Sequence, residues 1–218
     1  MPPPRSHRYR GEIQACRECT ETLMLLCNEQ GFLPRLAYGT LQQACVLVAE
    51  GRVAEGIAQM RKGLEAERPS VSVPLVSYIY AALADAYKKV GQVEDGLKIL
   101  AMELDAAKSS GGHLWEAELY RGKGELLLAQ EGKDKKAKDE KENVSEAEAC
   151  FHKGLEVSRS QNAKSLELRA AMSLGRLWQK QGKKGEAHKL LAEIYGWFTE
   201  GSDTADLKEA KELLDELS

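Results

Sequence analysis

Cys16 and Cys19 are the first side chains with chemical potential, because two thiols three positions apart can clasp a metal or form a redox pair. A zinc site would need a second pair of ligands, and a redox pair would sit in a βαβ setting. Neither accompanies them. Both continue the apolar stripe Ile13, Cys16, Cys19, Leu23 and Cys27 of a helix, so they read as core residues. Gly122-Lys-Gly124 lacks the spacing and the terminal Lys-Ser/Thr of a phosphate loop. Gly182-Lys-Lys-Gly185 spells a GXXG, but no strands surround it and it reads as a turn between helices. His7, His113, His152 and His188 fall in no metal-ligand spacing, and Trp178 and Trp197 read as core rather than stacking platforms. No nucleophile, base and orienter come together, so we expect no enzyme, no cofactor and no metal.

The elements that would position such groups are helices. The chain has 218 residues, is rich in Ala, Leu, Glu and Lys, and carries its last proline at Pro74. Its net charge of −3 argues against sequence-independent binding to phosphate backbones. No apolar run approaches the roughly 18 residues of a membrane span, and the opening Met-Pro-Pro-Pro-Arg-Ser-His-Arg lacks the apolar stretch of a signal peptide. A cytoplasmic location is the expectation.

One short phrase recurs and turns each helix back onto the next: Gly51…Gly56…Met60, Gly91…Gly96…Leu100 and Gly182…Ala187…Leu191. Ala147 and Phe151 repeat it without the glycine. The first glycine accepts the left-handed backbone that ends a helix. The small residue lets two helices approach, and the large one four later fills the groove on the same face. Seven residues before each glycine stands another small residue, Ala44, Ala84 or Gly175, followed three later by Leu47, Tyr87 or Trp178. Such self-similarity predicts a stacked helical array.

The pattern predicts helices at 11–30, 35–50, 53–68, 76–90, 93–109, 114–130, 144–161, 163–181, 184–197 and 204–217. Residues 1–10 are expected to form a disordered or extended arm, and 11–218 one repeat domain. A charged insert at 131–143 would be a solvated loop or a helix extension. Asp203 is the expected N-cap of the last helix, which caps the array with a Lys/Glu outer side. The first helix carries Ala15 and Cys19 where the second helix of a unit would place them, leaving an uncapped apolar end. Another copy, a neighbouring protein or the arm would cover it.

These are marks of the tetratricopeptide repeat, whose usual period is about 34 residues; here Gly51 and Gly91 stand 40 apart. The implied fold is all-α: a TPR-like right-handed superhelix of about four pairs, with an N-terminal half-repeat and a C-terminal capping helix. Glu116-Ala-Glu-Leu-Tyr-Arg-Gly-Lys-Gly-Glu-Leu-Leu-Leu128 further resembles the carboxy-terminal tetratricopeptide region of bacterial class III cyclase–ATPase and LuxR-type ATPase regulators. The likeness continues through Glu146–Phe151, Ala163–Leu174, Ile194–Gly201 and Asp203–Ala210. No cyclase, ATPase or DNA-binding domain accompanies the array in this chain. The resemblance therefore implies a sensory or scaffolding module.

In such arrays the first helix of each pair lines the inner wall. Transferring that register places Tyr38, Leu41 and Cys45, then Tyr78, Ala81, Asp85 and Lys88, along it. Glu118, Arg121 and Glu125 follow, then Arg169, Met172, Arg176 and Gln179. Arg121, Arg169 and Arg176 would share a groove and could grip a carboxylate or phosphate, unless Glu118 and Glu125 simply neutralise them. The expected function is a non-enzymatic protein- or peptide-binding module of a bacterial signalling or transcription-regulation system. Its partner would be a separate ATPase, cyclase or regulator, with no nucleic acid and no membrane. The alternative is a sensor of a small or anionic ligand in the same groove.

Overall fold

A computed structural model describes residues 11–67, 73–109, 114–130 and 137–218. The arm at 1–10, the connectors at 68–72 and 110–113, and the first part of the charged insert, 131–136, lie outside the described residues.

Ten helices and no strand are present among the described residues. They are α1 (Ile13–Gln30), α2 (Leu33–Ala49), α3 (Val53–Glu67), α4 (Val73–Lys89) and α5 (Val93–Ser109). The second half comprises α6 (Glu116–Ala129), α7 (Ala137–Ser160), α8 (Lys164–Lys180), α9 (Lys184–Tyr195) and α10 (Ala205–Leu217). Pairs α2/α3, α4/α5, α6/α7 and α8/α9 pack as hairpins, and each second helix also packs on the following first helix. The first helices α2, α4, α6, α8 and α10 touch one another in sequence and form the inner layer. Among the described residues no comparable packing joins the outer helices to each other. An array held tighter on one layer than on the other must curve toward the tighter one. Gly11, just before α1, accordingly lies against Ala205 at the start of α10.

Gly51, Gly91 and Gly182 end their helices with φ of 86°, 73° and 78°, the left-handed backbone that glycine adopts without a Cβ clash. At each crossing the small residue is needed for contact. A Cβ on Gly56 would stand 2.4 Å from a Val48 methyl and 2.8 Å from the Ala44 carbonyl oxygen. The large residues that follow, Met60, Leu100, Phe151 and Leu191, are all fully buried. Cys16, Cys19 and Cys27 are buried, free thiols, as the apolar stripe required.

Three features differ from the sequence expectation. Helix α7 starts at Ala137 rather than 144, because Ala, Lys and Glu in the second half of the charged insert propagate the helix backwards. Helix α4 starts at Val73, with Pro74 in its first turn, where the missing N–H has no intrahelical partner to lose. Thr204, not Asp203, is the N-cap of α10, and its hydroxyl makes no capping hydrogen bond.

The crossing geometry yields a test. Gly56→Ala adds a methyl where backbone and side chain already touch, and should lower stability by about 1–3 kcal/mol despite alanine's better helix propensity. Gly185→Ala, in the first turn of α9 with nothing within 4 Å, should raise it by about 0.5–1 kcal/mol. Urea denaturation of both variants measures the contrast; equal effects would remove the close-approach account.

Candidate functional site

The inner face carries a chain of ion pairs that runs across four successive inner helices. It starts on α4, where Asp85 pairs with Lys89 at 3.7 Å and Lys88 reaches Glu125 of α6. Glu125 then accepts a hydrogen bond from Ser173 Oγ of α8 at 2.7 Å. One turn back, Arg121 donates to both oxygens of Glu118, from Nε at 3.0 Å and Nη2 at 2.8 Å. Arg169 of α8 stands 3.6 Å from Glu118 and donates to both oxygens of Asp206 on α10, at 2.7 and 2.9 Å. Arg176 pairs with Glu209, and Gln179 donates to Glu216 at 3.4 Å.

The spacing follows from helix geometry. Residues 118, 121 and 125 of α6, like 169, 173 and 176 of α8, recur at three and four positions and so share one face. Adjacent inner helices bring these rows within reach of one another. Acidic residues 206 and 209 of α10 continue the row and supply counter-charges to Arg169 and Arg176, and Glu216 accepts from Gln179.

Electrostatics follow from this pairing. Burial pulls the Arg121 guanidinium downward, but Glu118, then Glu125 and Asp85, hold it above its ordinary value, so it stays charged. Burial pushes Glu125 upward, yet Lys88, Arg121 and Ser173 hold it below the usual carboxylate range. Glu167, at the base of α8, is likewise pushed up by burial and held down by Arg159 and Lys164.

Eight of the ten groove residues read from the sequence therefore meet on one surface: Asp85, Lys88, Glu118, Arg121, Glu125, Arg169, Arg176 and Gln179. Tyr78 and Met172 do not offer their side chains to it. Both are buried, Tyr78 completely and tilted against the Trp115 ring at 5.2 Å. Tyr38, Leu41 and Cys45 are buried too. Each inner helix packs against its outer partner and against neighbouring inner helices, so apolar residues at the edge of the inner stripe turn into the core. Arg121, Arg169 and Arg176 each already hold a carboxylate. Sequence reasoning missed Ser173 and the α10 acids, whose spacing on one face of the cap was the available signal. Trp197 is 59% exposed rather than core, because it lies past the end of α9 in the loop that leads to α10. Among the described residues there is no helix long and apolar enough to cross a membrane.

Glu118 is 6% exposed and bound by two guanidinium groups, so Glu118→Ala should destabilise by roughly 3 kcal/mol. Arg176→Ala breaks an exposed pair and should cost under about 1 kcal/mol. Glu125 titrates lower in the folded than in the unfolded chain, so its contribution is complete above about pH 4.3 and is lost as pH falls through the folded value. The fall in Tm between about pH 5 and pH 3 should be smaller in Glu125→Gln than in the parent; an identical profile contradicts this.

No protein-family model matches the chain, and no curated protein matches it. Solved structures do. A Podosopora anserina protein assigned as a kinesin light chain, with nearly identical TPR-like repeats, has a TM-score of 0.55 and 17% identity, covering 88% of this chain and 90% of that one. A point variant of it reaches 0.57 over the same shares. BtubC (BKLC) from P. vanneervenii has a TM-score of 0.59 and 14% identity, covering 97% and 89%. Identity at this level speaks for architecture alone: the chain has the fold of a TPR-like α-solenoid.

Proposed function

We propose that the chain is a non-enzymatic interaction module that docks a protein or peptide along the inner face. The observation that most supports this is the row of part-exposed ionic groups carried in register by α4, α6, α8 and α10. Asp85, Lys88, Arg176 and Gln179 have accessible heads, whereas Glu118 and Arg169 hold the row together from below. The exposed groups are of both signs. A partner strand with both signs is complementary to such a surface; a polyanion such as nucleic acid is not. The sequence resemblance adds a setting, a bacterial signalling or transcription-regulation system, and a partner class, a separately encoded ATPase, cyclase or regulator.

The second reading, a sensor of an anionic ligand in the same groove, requires the anion to displace a carboxylate from Arg121, Arg169 or Arg176. That requirement weighs toward docking. At the other end, Leu25, Leu26 and Phe32 are 60%, 51% and 60% exposed, where self-association would cover the half-repeat.

A photo-crosslinking residue at Gln179 should capture the partner in cells, whereas the same residue at Lys189 on outer helix α9 should not. Lys88→Glu with Arg176→Glu should weaken the captured complex about tenfold. Capture from both faces, or an undiminished complex, would remove inner-face docking. For the sensor reading, undiminished affinity of Arg169→Ala/Arg176→Ala for an anionic ligand rejects the arginine grip.

A further inference from the structure

A cleft of about 830 Å³ opens at the edge of the inner layer, where the N-terminal ends of α8 and α10 and the segment preceding α6 meet the loop after α9. Its volume lies in the range of small-molecule sites. Its apolar lining comprises Leu114, Trp115, Trp197, Phe198, Leu166 and Leu207. Trp197 stands edge-on to Phe198 at 5.2 Å, which fixes the exposed indole in place. Leu114 is 53% exposed at the opposite lip. Two large apolar groups held open to solvent across a concavity are what a hydrocarbon body would cover.

The polar groups in the cleft are unbalanced in one direction. Its carboxylates are consumed or solvated: both Asp206 oxygens are taken by Arg169, and Glu200 is exposed. Its donors are open. The first-turn N–H groups of Asp206 and Leu207 on α10, and of Ser165 on α8, have no hydrogen-bond partner among the described residues. The Thr204 hydroxyl, at the N-cap, makes no capping bond. Lys164 Nζ sits 5.9 Å above the Trp197 ring, and its ion pair with Glu167 leaves ammonium hydrogens free. Two helix N-termini, an ammonium and a hydroxyl thus line the same space as Leu114, Trp115, Trp197 and Phe198.

We propose that this cleft binds a small amphipathic carboxylate, an aryl or medium-length acyl acid, with its apolar body between Trp115 and Trp197 and its carboxylate at the first turn of α10. Such a ligand would supply the acceptor that α10 lacks and cover the exposed indole. It would tie the capping helix to α8 and to the segment before α6. The site does not rest on docking at the inner face, since its aromatic walls belong to none of the ion pairs there and the cleft meets that row only at Arg169 and Asp206.

Octanoate and 2-naphthoate are the probes, with 1-octanol and 2-naphthalenemethanol as uncharged counterparts of matching body. In ¹⁵N-resolved NMR titrations the acids should shift the amides of Ser165, Asp206 and Leu207 and the Trp197 indole saturably. The alcohols should bind at least about tenfold more weakly. Trp197→Ala should cost either acid about tenfold. Thr204→Val, which removes no bond of the folded chain, should weaken the acids severalfold and leave the alcohols unchanged. Unchanged thermal melts establish that both variants fold. Absence of saturable shifts at millimolar acid, alcohols bound as tightly as acids, or acids indifferent to Trp197→Ala would each overturn the assignment.

Discussion

Close approach of two helices at one small residue is the constraint on which this molecule depends. A Cβ on Gly56 would meet Val48 and Ala44 of the inner helix, one on Gly96 would meet Leu126 of the next hairpin, and Ala147 and Ala187 are fully buried at the same place in their repeats. The bulky residue four positions later is then carried into the seam, where Met60, Leu100, Phe151 and Leu191 lose all contact with water. Hairpins built this way present an apolar second face that only another hairpin can cover. Stacking follows from that incompleteness, and so does the need for a cap such as α10.

Curvature is a consequence of the same packing. Among the described residues the inner helices pack on their successors and no comparable packing joins the outer ones, so charged rows on α4, α6, α8 and α10 are gathered into one surface. A row that would be four separate helix faces in an extended arrangement becomes a network. Its least exposed members, Glu118 and Arg169, are fixed by several partners each, while its outer members stay available to solvent. The same convergence at the edge of the layer leaves helix N-termini and two tryptophans around a common cleft. One face is thus polar with most of its charges paired, and its edge carries apolar side chains and open donors.

The fold was almost wholly legible in the residues. Helix ends at Gly51, Gly91 and Gly182 were readable because only glycine relieves the left-handed turn there. The pairing of helices was readable from the small and large residues at fixed offsets. Boundaries failed where a local rule had a competitor: α7 ran back to Ala137 because helix-forming charged residues continued a helix already anchored by its core. Eight of the ten residues read as a groove share one surface, since a helical face is a matter of spacing. Tyr78 and Met172 do not, because both spacing and hydropathy permit a side chain at the stripe's edge to point either way.

Sequence by itself determined the kind of local structure, the turn positions and the set of charges on each inner face, all of which are set by interactions within one or two turns of the chain. Tertiary structure alone decided which charge meets which. Arg169 finds Asp206 thirty-seven residues on, and Glu118 lies between two guanidinium groups from different helices, because packing distance and curvature choose partners that spacing cannot. Trp115 and Trp197, eighty-two residues apart in the chain, face the same cleft for the same reason.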